Sequence, residues 1–337
     1  VLSRAPLKTA SGSAAIGKRY WIILATVWIV AIGCAFGLLA YDNPMEFGTR
    51  QFWLIAERRA DAVIAMLIVA VCQAMATVSF HTVTNNRILT PSIMGFESLY
   101  VAINTATIFF LGASGLTEAR NVGTFLFQMG IMILLSLALY SWLLTNNKHN
   151  MHAMLLVGVV IGGGLGSLST FMQRMLTPSD FDILTARLFG SVNNAETEYY
   201  PIAIPLVIIA TVLLLLNSRR LNVIALGADV ARNLGVNHKT HAIYTLILVS
   251  VLMAVTTSLV GPMTFLGFLV ATLAYQFTDT YDHRYIYPMA VGVAFLVLTG
   301  AYFLMQHVFY AQGVVSIIIE LVGGSVFLFV ILRKGRL

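Results

Sequence analysis

The sequence predicts an all-α protein that crosses a membrane about ten times. Three observations carry this. Of its 337 residues 58% are hydrophobic and only 10% charged, against roughly 25% charged in soluble domains. The mean hydropathy is +0.85. The apolar residues gather in runs long enough to cross ~30 Å of hydrocarbon, separated by short polar segments. A chain this apolar is read as a count of spans rather than of soluble domains, and the whole of 1–337 is expected to be one transmembrane domain.

In chain order, the first run is Tyr20 to Leu39, preceded by a polar, basic segment, 1–19. It is longer than the apolar stretch of a signal peptide and lacks a small-residue cleavage site, so it reads as a retained helix. The next three are Ala62 to Phe80, Ile93 to Leu111 and Val122 to Leu144, followed by Met154 to Met172, Ile202 to Leu216 and Ala242 to Val260. The eighth, Thr264 to Phe277, lies between Gly261-Pro262 and the polar run Thr278 to Arg284, and is short enough to be tilted or re-entrant. Tyr287 to Met305 and Val314 to Leu332 complete the set.

Basic residues test this count. With the N-terminus inside, 14 of the 20 Lys and Arg fall in cytoplasmic segments, including every lysine. Only Arg50, Arg58, Arg59, Arg120, Arg174 and Arg187 fall outside. This is the positive-inside pattern, and it places both termini in the cytoplasm. The net charge of +6 therefore belongs to the lipid bilayer, and nucleic acid is excluded as its explanation. Cys34 and Cys72 both lie in apolar runs, too few for a disulfide framework or a metal site.

Two polar stretches are too long for simple connectors. Thr177 to Tyr200, on the outside, is expected to hold a short surface helix. Asn217 to Thr240, on the inside, is basic and reads as two short amphipathic helices broken at Gly227 and stopped at Gly235. This segment, 217–240, has the look of a docking element. Small residues cluster in the fifth span at Gly158, Gly162, Gly163, Gly164 and Gly166. They suit close helix packing within the chain, or a face turned to a partner or a pathway.

Other features are weighed against plainer readings. Glu320 stands about two turns into the tenth span, where an unpaired charge is costly; it either lines a pathway or bonds a neighbouring helix. Glu97 suits the start of the third helix, where a negative charge favours the dipole. Gly12 to Lys18 imitates a phosphate-binding loop, but Arg19 replaces the Ser or Thr that would hold Mg²⁺ and no strand precedes it. His149 and His152 lack a third ligand, and no metal site is expected. No nucleophile and base converge in the spans, so the chain is not expected to be an enzyme.

Three motifs go further. Leu226-Gly227-Ala-Asp229-Val-Ala231-Arg232-Asn-Leu234-Gly235 resembles Leu-Gly-Glu-Glu-x-Ala-Arg-x-Leu-Gly, the ATPase-coupling loop of the permeases of type II ABC importers for iron–siderophores, haem and vitamin B12. Ala228 replaces the first acid of that motif and Asp229 stands for the second. Asn86-Arg-Ile88-Leu-Thr-Pro91-Ser-Ile-Met-Gly95 is similar to the family's Asn-Pro-Leu-Ala-x-Pro-x-x-x-Gly. Gly261-Pro262-Met-Thr-Phe265-Leu-Gly267 is similar to Gly-Pro-Ile-x-Phe-Val-Gly, and His283-Arg284 follows as in Asp-His-Arg. The resemblance covers nearly the whole chain, and the stretch Asn85 to Tyr100 looks closest to permeases for catecholate-type siderophores such as petrobactin and anguibactin.

The resemblance implies a membrane-spanning permease subunit in a bacterial cytoplasmic membrane, importing a ferric siderophore by alternating access. Implied partners are a second permease, as a heterodimer, two ATP-binding subunits and a substrate-binding protein. ATP and Mg²⁺ would sit on the partner ATPase, with no cofactor on this chain. The resemblance assigns Asn86, Ile88, Met151 and His152 to a cytoplasmic gate, and Arg58 and Arg59 to receptor docking. The family's Arg-x-Pro-Arg is here Arg59-Ala-Asp-Ala62, so only the first arginine matches, and snorkelling at a helix end remains the plainer reading of this pair. The family's Pro-Val-Gly before the tenth span is replaced by Ala311-Gln312-Gly313-Val314. Haem or vitamin B12 as cargo, and an ion-coupled secondary transporter needing no ATPase, remain the alternatives.

Overall fold

In the computed structural model the described residues are 17–41, 45–46, 48–118, 121–145, 151–192, 195–308 and 315–334. Among them the regular secondary structure is helical: α1 (Lys18–Ala40), α2 (Arg50–Thr84), α3 (Phe96–Glu118), α4 (Val122–Thr145), α5 (Met151–Gln173), α6 (Pro178–Leu188), α7 (Tyr200–Ile224), α8 (Ala228–Asn233), α9 (His238–Val260), α10 (Leu266–Phe277), α11 (His283–His307) and α12 (Val315–Lys334). Short 3₁₀ turns occupy Pro91–Met94 and Thr197–Tyr199. Among the described residues, six helices are both long and apolar enough to cross a membrane, and four shorter apolar helices lie at the positions of the remaining expected spans.

Burial sorts these helices into centre and periphery. α2 and α9 pack together at the centre, each 78% buried over its most apolar window. Their core residues include many small ones, among them Ala65, Ala70, Ala74 and Ala76 on α2, which let neighbouring backbones close in where lipid provides no hydrophobic drive. α11 joins them, α1 lies against α11, α7 and α4 flank α9, and α10 bridges α2 and α11. α1 is only 22% buried and turns Trp21, Ile29, Ile32 and Phe36 outward, as a lipid-facing helix does. α3 and α5 form a pair, with α6 laid under α3 through buried Leu184 against Ile108.

Several boundaries differ from the sequence reading, three of them instructively. α2 starts at Arg50, not Ala62, capped by Thr49, whose hydroxyl accepts from the Phe52 N–H at 3.2 Å. Charges at 57–61 end the apolar run but not the helix, because only the part within hydrocarbon must be apolar. At the third span, Pro91–Met94 forms a 3₁₀ turn and Gly95 takes φ +95°, so α3 starts at Phe96. α7 runs on to Ile224, so the first of the two helices expected in 217–240 is the end of a span, and α8 is the second. At twelve residues, about 18 Å, α10 is too short to cross hydrocarbon alone. The surface helix expected within Thr177 to Tyr200 is α6, capped by Thr177 with Pro178 in its first turn.

Candidate functional site

Arg87 follows α2, Arg232 lies on α8, Lys239 opens α9 and Arg284 opens α11, while Arg19 of α1 stands 3.9 Å from Asp279 between α10 and α11, and this end of the bundle is the basic face. There the chain leaves α7 through Gly227, whose φ of +96° and ψ of 164° suit a residue without Cβ. α8 then closes in a Schellman motif: Gly235 takes φ +76°, its N–H donates to Arg232 O at 3.0 Å, and the Val236 N–H donates to Ala231 O at 2.9 Å. Asn237 caps α9 by accepting from the Thr240 N–H at 3.3 Å. Both ends of this small unit are thus fixed by local chemistry.

α8 is anchored by Ala231, which is fully buried, while Asp229 and Arg232 are exposed near its two ends. Leu226, Val230 and Leu234 recur every fourth residue and stay 59%, 44% and 60% exposed. An apolar row outside the hydrocarbon, framed by charge, is what a protein partner's groove would cover.

Asn86 and Ile88, two of the four expected gate residues, lie in this corner. α2 ends in its own Schellman motif, with Asn85 at φ +48° and the Asn86 N–H donating to His81 O at 3.2 Å. The Asn86 side chain accepts from the Ile88 N–H at 2.9 Å, so it folds its own connector. Arg87 lies over the Tyr275 ring at 4.5 Å and the Tyr281 ring at 5.6 Å. A cleft of about 830 Å³ is lined by Asn86, Ile88 and Arg87 on one side and Leu226 and Tyr275 on others. A second, of about 730 Å³, lies between Thr84 and Asn85 of α2 and the unit holding Gly227, Asp229 and Lys239. Met151 and His152 open α5, but their side chains, His149, most of the Gly12 to Lys18 segment and Ala311 to Val314 lie outside the described residues.

A polar chain missed by the sequence reading joins these parts. Asn222, on the last turn of α7, donates from Nδ2 to Asp282 Oδ1 at 2.9 Å and accepts at Oδ1 from the His283 N–H at 3.0 Å. His283 Nδ1 also lies on Asn222 Oδ1, and His283 Nε2 meets the Thr82 hydroxyl at 2.6 Å. Burial raises the Asp282 carboxyl, but hydrogen bonds from Arg284 and Asn222 outweigh it and hold its pKa at about 2. The signal available in the sequence was Asp-His-Arg; nothing there showed which partner it meets.

The glycines of α5 divide in two. Gly95 sits against Gly158 and Gly162, where a methyl on Gly162 would lie 3.2 Å from Gly95 Cα. Gly163, Gly164 and Gly166 meet nothing within 4 Å, and an outward groove of about 500 Å³ runs past Gly163, Ser167, Thr170 and Arg174. Packing within the chain explains the first pair; the others face out.

Arg58 and Arg59 are split by the 100° turn between successive helical residues. Arg59 reaches the end of α1 and donates to Leu38 O at 3.2 Å and Tyr41 O at 2.9 Å, while Arg58 stays exposed. Glu97 lies in the first turn of α3 as expected, but its carboxylate accepts from Thr264 Oγ1 at 2.5 Å across to the α9–α10 connection. Glu320 is half-buried on α12. Among the described residues, no three His, Cys, Asp or Glu side chains converge to hold a metal ion.

The match to the FecCD transport family runs over residues 18–333. The chain belongs to the FecCD transport family. FecCD relatives agree along their length. The petrobactin import system permease FatC of Bacillus anthracis is 54% identical over 95% of this chain and 90% of its own. The petrobactin import system permease YclO of Bacillus subtilis (strain 168) is 34% identical, covering 91% of this chain and 96% of that protein. A solved structure described as an inward-facing conformation of a metal-chelate type ABC transporter superposes with TM-score 0.76 at 21% identity, over 94% of this chain and 99% of that one, and so shares the fold. This FecCD chain is therefore a multi-pass membrane permease.

Proposed function

We propose that this permease is one transmembrane subunit of an ATP-driven importer of ferric siderophores, with petrobactin or a similar catecholate chelate as cargo. The observation that carries the reading is the 54% identity to the petrobactin import permease over 95% of the chain. ATP and Mg²⁺ belong to the partner ATPase, and this chain carries no cofactor. A substrate-binding protein delivers cargo to the face opposite the basic one, where Arg58 is exposed. Orientation follows the lysines and arginines, with both termini in the cytoplasm.

In this reading Leu226, Gly227, Asp229, Ala231, Arg232, Leu234 and Gly235 form the coupling unit. Leu226 and Leu234, with Val230, enter the ATPase groove, Asp229 and Arg232 set its orientation, Ala231 anchors α8, and the two glycines permit its turns. Asn86 and Ile88, with Met151 and His152 at the start of α5, form the gate. The outward glycines of α5 face the shared pathway or the second permease, a different chain in a heterodimer. Glu320 lines the pathway near Glu97. The ATPase can drive the gate only through contacts that differ between its nucleotide states.

The test is uptake of ferric petrobactin into proteoliposomes holding both permeases, the ATPase and the receptor, with and without ATP. Uptake that needs ATP and collapses in Gly227→Asp, with the complex still assembled, supports the reading. Uptake driven by an ion gradient without the ATPase would overturn it in favour of a secondary transporter.

A further inference from the structure

We infer that Asn222, His283 and Thr82 form a hydrogen-bonded linkage that carries movement of the α8 unit to the ends of α2 and α11, with Asn222 as its positioning residue. The inference rests on the coupling role proposed for α8 and adds the route by which that role reaches the gate.

The geometry singles out this chain of contacts. Asn222 lies on the last turn of α7, five residues before Gly227 opens the α8 unit, so displacement of α8 pulls first on this turn. Clefts of about 730 and 830 Å³ flank the corner, leaving the α8 unit loosely packed against the connector after α2. What crosses the corner is polar. Asn222 Nδ2 donates to Asp282 Oδ1 at 2.9 Å, and Asn222 Oδ1 accepts from the His283 N–H at 3.0 Å. One amide thereby grips both the cap and the first residue of α11. From there His283 reaches α2 through Nε2 and Thr82 Oγ1 at 2.6 Å. Thr82 stands four residues before Asn86, whose side chain folds the gate connector.

The donors and acceptors also order the linkage internally. Because Asn222 Oδ1 accepts from a backbone N–H, it is the oxygen of the amide, and the Nδ1 that faces it must carry a proton. In the neutral ring, Nε2 is then an acceptor and the Thr82 hydroxyl donates to it. That hydroxyl has an alternative acceptor in Val78 O at 3.0 Å. Breaking the His283 contact therefore leaves the hydroxyl satisfied inside its own helix, so the tie can be made and released without stranding a donor. The hydroxyl keeps an acceptor in either arrangement while buried His283 Nε2 keeps its donor only in the first, so the closed tie is the favoured state of a two-state contact.

The experiment uses the complete complex in proteoliposomes and measures ATP hydrolysis together with ferric petrobactin uptake. Asn222→Leu removes both arms of the amide at similar size, Thr82→Val removes the hydroxyl, and Thr82→Ser restores it. The expected result is assembled complexes that still hydrolyse ATP, with uptake per ATP down roughly tenfold in Asn222→Leu and Thr82→Val and recovered in Thr82→Ser. The double variant should be no worse than the poorer single one, because members of one linkage do not add. Unchanged uptake per ATP in both single variants would overturn the inference. So would loss of assembly or ATP hydrolysis in step with uptake, in Thr82→Val and Thr82→Ser alike, which marks a merely structural role. The wild-type complex separates the two readings: if it imports without ATP the function proposed above fails, and if it is ATP-driven while the variants couple normally, only the linkage fails.

Discussion

At Gly190 a side chain has nowhere to go, since an added Cβ would lie 2.0 Å from the Pro262 carbonyl oxygen. Both partners are backbone, held together by the Ser191 N–H donating to Val260 O at 2.8 Å, so neither can rotate away. Gly190→Ala should therefore lower thermal stability clearly, by about 1–3 kcal/mol or more, the cost of overpacking. Gly33→Ala is the control: nothing lies within 4 Å, and helix propensity predicts a neutral or slightly stabilising change. Thermal unfolding of the detergent-solubilised protein, followed by size exclusion, compares them. The paired arginines separate in the same way. Arg59→Met should destabilise by roughly 1–3 kcal/mol, because the last carbonyls of α1 lose a charged donor. Arg58→Met should leave stability unchanged and weaken receptor capture, measured by titrating receptor against reconstituted transporter; equal affinity for wild type and variant would remove Arg58 from the docking surface.

Among the elements, α8 is too short to be stable alone and owes its shape to its two glycine-bearing ends and to Ala231. Its exposed apolar row is separable from that anchor. Val230→Asp and Leu234→Asp should therefore reduce ATPase co-purification at least tenfold while the permease keeps its thermal stability. Retained co-purification in both would show that this row is not the docking surface. α5 presents a parallel case at its outward groove. Ser167→Trp should cut ferric siderophore uptake several-fold without lowering monomer stability, since Ser167 is exposed and its hydroxyl bonds Gly163 O of its own helix at 2.9 Å.

On the scale of the whole molecule, the basic residues make a prediction about sidedness. A membrane-impermeant maleimide should label Ser179→Cys from the outside of intact cells and Asn233→Cys only after the membrane is opened. Cys72 is fully buried and Cys34 lies within α1, so neither should obscure the result. Labelling of Asn233→Cys in intact cells would reverse the orientation.

The order of the apolar helices, the short helix within Thr177 to Tyr200 and the turns at Gly227 and Gly235 were legible in the sequence, because each rests on local chemistry, and the family was legible in the resemblance of its motifs. Hydrophobic length, cap residues and glycine's access to positive φ act within a few residues of where they are read. The sequence did not show that the helix of Arg58 and Arg59 begins at Arg50, because it scores apolar content and not backbone continuity. Nor could it decide that Arg59 serves the end of α1, that Gly162 faces Gly95 while Gly163 faces out, or that Asn222 meets residues 60 and 61 positions away. Those outcomes depend on which helices pack together and at what rotation. Rotation about a helix axis is set by the sum of many weak contacts between distant segments, so only the assembled bundle determines it.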